Sequence, residues 1–281
     1  MKILDCEQRT PEWYAARLGK PTASNFAKLL TPTGKPCKSA DEYINSLIAE
    51  RIIGREKDVY ISEWMQRGID LEPDARKDYE YITGSTVHEI GFALDDGELF
   101  GCSPDGLVAD DTGTLTKGLE IKCPAPTTQA GYLRNSEDLR KKYFPQVQGC
   151  MLVMQQPVWD LFSYHPEMPH VLITVERDDS YIEKLEVELA KAIDIINKEM
   201  ENNNGRGALF KNENKNPDSN QPDYSGNITT LDGQETRLAA WIKTAKSGKV
   251  FMSLQMSEFQ EKKSPAPAKK QAAYTDDEIP F

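Results

Sequence analysis

Residues 101–124 read GCSPDGLVADDTGTLTKGLEIKCP, and the fold turns on how they are read. Asp-Gly and Thr-Gly pairs separate short runs rich in apolar and β-branched residues, the pattern of strands joined by tight turns. In an extended strand residues i and i+2 share a face. Glu120 and Lys122 therefore project together from GLEIKC, with Ile121 facing the core. Asp105 precedes Glu120 by fifteen residues, a separation that suits a hairpin placing Pro104-Asp105 beside Glu120. Two readings stand at this point. One is a solvated Glu/Lys pair on a half-buried strand. The other is a metal site, in which two carboxylates hold Mg²⁺, an ion that prefers oxygen ligands at about 2.0–2.1 Å and keeps several waters. One such water would serve as nucleophile, and Lys122 would orient it or meet the charge that builds on a phosphodiester under attack.

Composition bounds the alternatives. The chain has 281 residues, enough for one sizeable domain and a smaller one. No run of about eighteen apolar residues suggests a membrane span, and the start MKILDCEQRT has no apolar core followed by a cleavage site. Five cysteines form no C-x-x-C pair. They argue for a reducing, cytoplasmic setting and against a zinc, disulfide or iron–sulfur framework. A net charge of −11 argues against indiscriminate coating of nucleic acid. It is compatible with an enzyme that confines positive charge to a channel.

Residues 1–204 read as mixed α and β. TPEWYAARL predicts a short helix capped by Thr10 with Pro11 in its first turn, and TASNFAKLL a second helix capped by Thr22 or Ser24. SADEYINSLIAERIIG predicts a helix stopping at Gly54. SEWMQRGIDLEPDARKDYEYITG predicts another, ending near Gly84. TVHEIGFAL, LFGCSPDGLVAD and GLEIKCP then read as one antiparallel meander. RKKYFPQVQGCMLVMQ returns to helix, and WDLFSYHP and HVLITVERD to strands. DDSYIEKLEVELAKAIDIINKEMENNNG closes the segment as an amphipathic helix with Ile182, Leu185, Leu189, Ile193, Ile196 and Met200 on its core face. Residues 206–259 alternate around turns at Asp232-Gly233 and Ser247-Gly248, which predicts a small antiparallel β domain. Residues 260–281 read as a flexible Pro/Ala/Lys linker followed by a disordered acidic tail.

Five pieces occur in one order: RLGKPTAS (17–24), RGIDLEPDAR (67–76), CSPDGL (102–107), LEIKCP (119–124) and YFPQVQ (143–148). Together they resemble the phage lambda-type exonuclease family, a branch of the PD-(D/E)xK nucleases, over roughly residues 8–180. The resemblance implies an α+β fold whose nuclease core is a central mixed sheet flanked by helices. It implies Asp105 and Glu120 as metal ligands, with the backbone carbonyl of Ile121 added, Lys122 as the catalytic lysine and Glu72 as a helix-borne glutamate leaning into the site. Tyr143 and Gln146, three residues apart and so on one helical face, match the Tyr/Gln pair beside the active site. Arg17 and Ser24 match residues that receive a 5′-phosphate, with Ser103 adding a hydroxyl; an arginine's planar fork suits phosphate. The implied cofactor is Mg²⁺, with Mn²⁺ as a substitute. The implied activity is 5′→3′ degradation of double-stranded DNA from its ends by a ring-shaped homotrimer, leaving a 3′ strand for a single-strand annealing protein, in a bacterial cytoplasm and from a phage or prophage gene. One position departs from the pattern: Ile69 stands where one member of the family carries a lysine, and Arg67, across Gly68, is the cationic residue that would supply the charge.

Other features read blandly. His88 sits in a strand pattern, while His165 and His170 flank prolines in a turn, and no H-E-x-x-H spacing points to zinc. Cys123 has no histidine partner and reads as a packing residue. Tyr224, Trp241 and Phe251, interleaved with Lys243, Lys246 and Lys249, suit base stacking. They suit better the small core such a domain needs, built on Trp241 and Phe251. The ending TDDEIPF resembles the acidic tip of bacterial single-stranded-DNA-binding proteins. That resemblance implies docking into basic pockets of host repair proteins through Asp276, Asp277, Ile279, Pro280 and Phe281. Two rival functions remain, an endonuclease with the same metal core and a non-catalytic recruiter acting through the β domain and tail.

Overall fold

The computed structural model describes residues 1–56, 62–110, 112–203, 205–216, 219–230 and 233–257. Contacts divide the chain into two compact units, one ending at Asn202 and the other starting at Asn203. Among the described residues, no helix is long and apolar enough to cross a membrane.

The first unit opens with strand β1 (Lys2–Leu4) and helix α1 (Pro11–Arg17). The Thr10 hydroxyl accepts from the Trp13 N–H at the start of α1, as its position before Pro11 predicts. TASNFAKLL departs from expectation. It forms a 3-10 helix, Ala23–Lys28, with no side-chain cap from Thr22. Thr22 is drawn instead into a bridge with Gly101, its N–H donates to Tyr43 Oη at 3.0 Å, and its hydroxyl accepts from Asn25. Burying Ala23 and Phe26 thus wins over local helix geometry. Helix α2 (Ala40–Ile53) stops at Gly54, whose φ of 76° supplies the left-handed cap. Helix α3 (Glu63–Thr83) starts where Ser62 Oγ accepts from Met65 N at 3.2 Å, runs through Gly68 and Pro73, and ends at Gly84 in the same left-handed way.

The predicted meander splits between two sheets. Strands β2 (Thr86–His88), β5 (Gly106–Ala109) and β6 (Leu115–Lys122) join one sheet. Strands β3 (Phe92–Leu94) and β4 (Gly101–Cys102) pair with β1 in a separate three-stranded sheet. The partner of β3 is Lys2–Leu4, some ninety residues away in sequence, so local pattern could not reveal it.

After β6 come α4 (Pro126–Arg134), α5 (Ser136–Met154), β7 (Val158–His165), β8 (Met168–Glu176) and α6 (Asp179–Asn203). The five-stranded sheet has the order β2-β5-β6-β7-β8, with β6 and β7 parallel and every other pair antiparallel. A parallel neighbour requires a crossover, which α4 and α5 supply. Strand β6 is therefore central. It is not the half-buried strand of the sequence reading, because Gly118 through Ile121 are all buried. Gly118 permits this packing: a Cβ there would lie 2.2 Å from the Trp159 ring. Helix α6 closes the core with the expected Ile182, Leu185, Leu189, Ile193 and Ile196, while Met200 packs at its edge. His165 and His170 lie in β7 and β8 on either side of the turn, not within it.

The second unit contains β9 (Gly207–Lys211), β10 (Tyr224–Thr229), β11 (Glu235–Thr244) and β12 (Val250–Ser257), all antiparallel in the order β12-β11-β10-β9. Leu238 and Ala240 are its buried apolar residues among the described ones. Trp241 is only half-buried, its indole N–H donating to Asn220 O, and Phe251 is 45% exposed. The core expected of that pair is corrected accordingly. Tyr224 pairs with Ala240, whereas Phe251 pairs with Lys243, so the register puts Tyr224 on the face opposite Trp241 and Phe251. Asp232 and the tail residues Asp276, Asp277, Ile279, Pro280 and Phe281 lie outside the described residues.

Candidate active site

Strands β5 and β6 pair Gly106 with Leu119, which sets Asp105, just before β5, against the end of β6. Asp105 Oδ2 accepts from the Ile121 N–H at 2.6 Å. Glu120, 2% exposed, and Lys122 share a face, and Lys122 Nζ donates to Glu120 Oε1 at 2.6 Å. Gln146 on α5 donates to the same oxygen at 2.6 Å. Tyr143, one turn earlier, offers its ring face to Lys122 Nζ at 4.7 Å. Ile121 points into a core cluster with Ala75, Tyr79 and Phe162.

Electrostatics match this crowding. Burial pushes the Asp105 carboxyl well above the usual carboxylate range, and Glu120 and Glu72 push the same way. Burial also raises Glu120, opposed by Lys122. Burial would lower the Lys122 ammonium, but Glu120, Tyr143 and Asp105 overcome it and hold the group protonated. The Cys123 thiol is pushed up to about 12, chiefly by burial, as befits a packing residue and not a nucleophile.

The residues fit a cation. Glu120 Oε2 is buried with no hydrogen-bond partner among the described residues, an arrangement that is costly unless something positive meets it. No three His, Cys, Asp or Glu side chains among the described residues converge as a closed cage. A two-carboxylate site completed by solvent suits Mg²⁺ better than zinc.

Glu72 reaches the site from α3 under constraints the sequence did not reveal. Its Oε1 accepts from Arg76 Nη2 at 3.0 Å and its Oε2 from Arg9 Nη2 at 2.8 Å. Arg76 Nε also donates to the Asp105 carbonyl at 3.3 Å. Arg9 has a φ of 69°, a left-handed conformation rare for a side-chain-bearing residue. Arg9, Glu72, Arg76, Glu89 and Asp105 line a cleft of about 600 Å³. Arg76 carried a signal, the i,i+4 spacing to Glu72; Arg9 carried none.

Beyond Gln146 lies a smaller cavity of about 40 Å³ lined by Arg17, Thr22, Ser24, Ser103, Gln146 and Cys150. The structure thus brings together Arg17, Ser24 and Ser103. Ser103 Oγ accepts from the Trp13 indole N–H at 2.8 Å, and the Arg17 guanidinium stacks 4.0 Å from the Trp13 ring centre. Gln148 points elsewhere. It donates to the Glu176 carbonyl and accepts from Asp178 N, fastening α5 to the end of β8. Arg67 does not replace the cation absent at Ile69: its Nη1 donates to the carbonyls of Cys123 and Pro124 beyond β6.

Comparison with known proteins points to a nuclease. Residues 12–156 match the YqaJ-like viral recombinase domain. Among solved structures, the chain is similar to an alkaline exonuclease from Laribacter hongkongensis, with 34% identity and a TM-score of 0.60 over 68% of this chain and 94% of that one. The same enzyme in complex with dAMP gives 34% identity, a TM-score of 0.59 and the same coverage. A phage-related exonuclease from Haemophilus somnus 129PT, at 15% identity and a TM-score of 0.53 over 64% of this chain and 96% of that one, shares the fold. Among curated protein sequences none matches. With its family domain spanning residues 12–156 and the identity to the Laribacter enzyme, the chain belongs to the YqaJ-like viral recombinase family, of lambda-type exonuclease fold, and is a nuclease.

Proposed function

We propose that this nuclease is a Mg²⁺-dependent exonuclease of double-stranded DNA, with Mn²⁺ able to substitute, that starts at 5′-phosphorylated ends and proceeds 5′→3′. One observation carries the reading. Gln146 donates to Glu120 in the acidic corner and also lines the cavity of Arg17, Ser24 and Ser103. A hydrolytic corner and an anion pocket that share a residue suit a strand held by its end phosphate and cut close by.

Asp105 and Glu120, with the Ile121 carbonyl, would hold the cation, which when bound supplies Lewis-acid stabilisation of the phosphoryl oxygens. Lys122, protonated and braced by Glu120, donates to developing negative charge. Tyr143 and Gln146 fix the orientations of Lys122 and Glu120. Glu72, clamped by Arg9 and Arg76, adds fixed negative charge beside Asp105 and positions water on that side. Arg17, Ser24 and Ser103 bind the terminal phosphate. The family resemblance supports a homotrimer, a 3′ strand handed to an annealing protein, and a phage or prophage origin in a bacterial cytoplasm. The tail would recruit host proteins that recognise single-strand-binding tips.

The test is digestion of linear duplex DNA phosphorylated at one 5′ end and bearing a 5′-hydroxyl at the other, with Mg²⁺ or EDTA. Metal-dependent loss from the phosphorylated end is expected. Cutting of closed circles would favour an endonuclease, and intact DNA with folded protein would favour the recruiter.

A further inference from the structure

Arg17, the last residue of α1, does not wait alone in its cavity. Glu56 Oε1 lies 3.0 Å from Arg17 Nε, with the two side chains 18% and 21% exposed. Yet the Nε–H has no hydrogen-bond partner among the described residues. The carboxylate is close but misaligned, and a misaligned pair keeps its Coulomb attraction while losing most of its hydrogen-bond energy. Stacking on Trp13 fixes the plane of the guanidinium, so the arginine cannot turn freely to improve the fit. Glu56 is itself poorly accommodated. Burial raises its carboxyl, Arg17 lowers it and Glu50 raises it again, and Glu50 is already engaged by the Gly19 N–H at 3.2 Å.

We propose that Glu56 is an exchange anion for the end-binding pocket, holding Arg17 when no phosphate is present and reclaiming it as a cleaved 5′-mononucleotide leaves. The inference rests on Arg17 being the 5′-phosphate arginine. A phosphate offers tetrahedral oxygens that can match the fixed fork, so it displaces the misaligned carboxylate. A 5′-hydroxyl brings no charge and does not. After hydrolysis the nucleotide carries its 5′-phosphate in the pocket, and an unopposed, half-buried arginine would retain it. The returning carboxylate lowers that affinity and clears the pocket for the next end.

The experiment is calorimetric titration of the full chain in EDTA with 2′-deoxyadenosine 5′-monophosphate, and with the 3′-monophosphate as control. EDTA keeps phosphate from binding through a metal. Glu56→Gln is expected to tighten the 5′-monophosphate by roughly threefold to tenfold, the scale of a partly exposed ion pair, with the 3′-monophosphate unchanged. Arg17→Ala should abolish the difference between the two nucleotides. Glu56→Ala, checked for folding by its melting curve, should repeat the effect of Glu56→Gln. If both Glu56 variants leave the affinity unchanged or weaken it while Arg17→Ala abolishes the preference, the pocket stands and Glu56 merely props Arg17. If Arg17→Ala leaves the preference intact, the pocket assignment falls and the exchange role falls with it.

Discussion

Strands β6 and β12 break opposite rules of residue placement. β6 runs through the middle of a five-stranded sheet and buries Glu120. β12 lies at the edge of a four-stranded sheet and exposes Val250, Met252, Leu254 and Met256. A buried charge is costly unless opposed; here Glu120 Oε1 is met by Lys122 and Gln146, and Asp105 Oδ2 by the Ile121 amide. The remainder, Glu120 Oε2, has no partner among the described residues and under the proposed function would meet the cation. On β12 the excess is apolar area, which signals docking more often than chemistry. One strand keeps its reactive potential in electrostatics, the other in exposed hydrocarbon, and substitutions should divide along that line.

The largest effect belongs to β6. Lys122→Ala or Glu120→Gln should lower DNA degradation by at least about a thousandfold in protein whose circular dichroism shows it folded; in EDTA the first should melt earlier, because it strips the buried Glu120 of its opposing charge, and the second later. A loss under about tenfold would place the chemistry elsewhere. Next comes Leu238, one of the few buried side chains of the second unit. Leu238→Ala should cost about 2–3 kcal/mol in urea unfolding, read through hydrogen exchange of the β9–β12 amides, without touching nuclease turnover.

Asp105→Asn should do the reverse, abolishing turnover while stabilising the metal-free protein by roughly 1–2 kcal/mol at neutral pH. The sign follows from the raised carboxyl. Folded Asp105 keeps its proton above the pH at which the unfolded chain releases it. Its cost is therefore absent below the ordinary carboxylate range and grows as pH rises toward the folded value. Melting curves in EDTA at pH 4 and pH 7 should show the variant's advantage only at the higher pH, and Mg²⁺ should remove it by stabilising the wild type. The smallest effect is expected on β12, where Leu254→Thr, at a site 59% exposed, should shift stability by no more than about 0.5 kcal/mol. A larger loss would mean that this face is covered in solution.

What was legible in the sequence follows from how local each feature is. The hairpin that sets Asp105 beside Glu120 and Lys122 was legible from period-two alternation with turn residues, whereas the choice of that trio as a site came from the resemblance. That Tyr143 and Gln146 share a helical face was legible from their spacing; their place beside the acidic corner came only from the family resemblance. The β1–β3–β4 sheet was not legible, because strands of two or three residues have no periodicity and exist only through distant partners. The clamp on Glu72 was hidden for the same reason, since Arg9 comes from a loop sixty-three residues away. Glu56 was overlooked because nothing in its own neighbourhood marks it, and its meaning comes from Arg17. In the second unit, composition suggested aromatic residues as the core, but register gave the buried places to Leu238 and Ala240.

The spacing of these contacts along the chain also orders their assembly. The Asp105–Ile121 bond closes a loop of 16 residues and the Gln146–Glu120 bond one of 26, whereas Trp13–Ser103 spans 90 and Gln8–Pro104 spans 96. Short loops close at lower entropic cost and sooner. A refolding chain should therefore own its acidic corner before it owns the pocket that Trp13 supports. Pulse-labelled hydrogen exchange would see this as protection of the Ile121 amide ahead of the Trp13 indole. A chain caught between those two events would have a place for a cation but no seat for a strand end, so the last contacts to form are the ones that turn a folded polypeptide into an enzyme with a starting point.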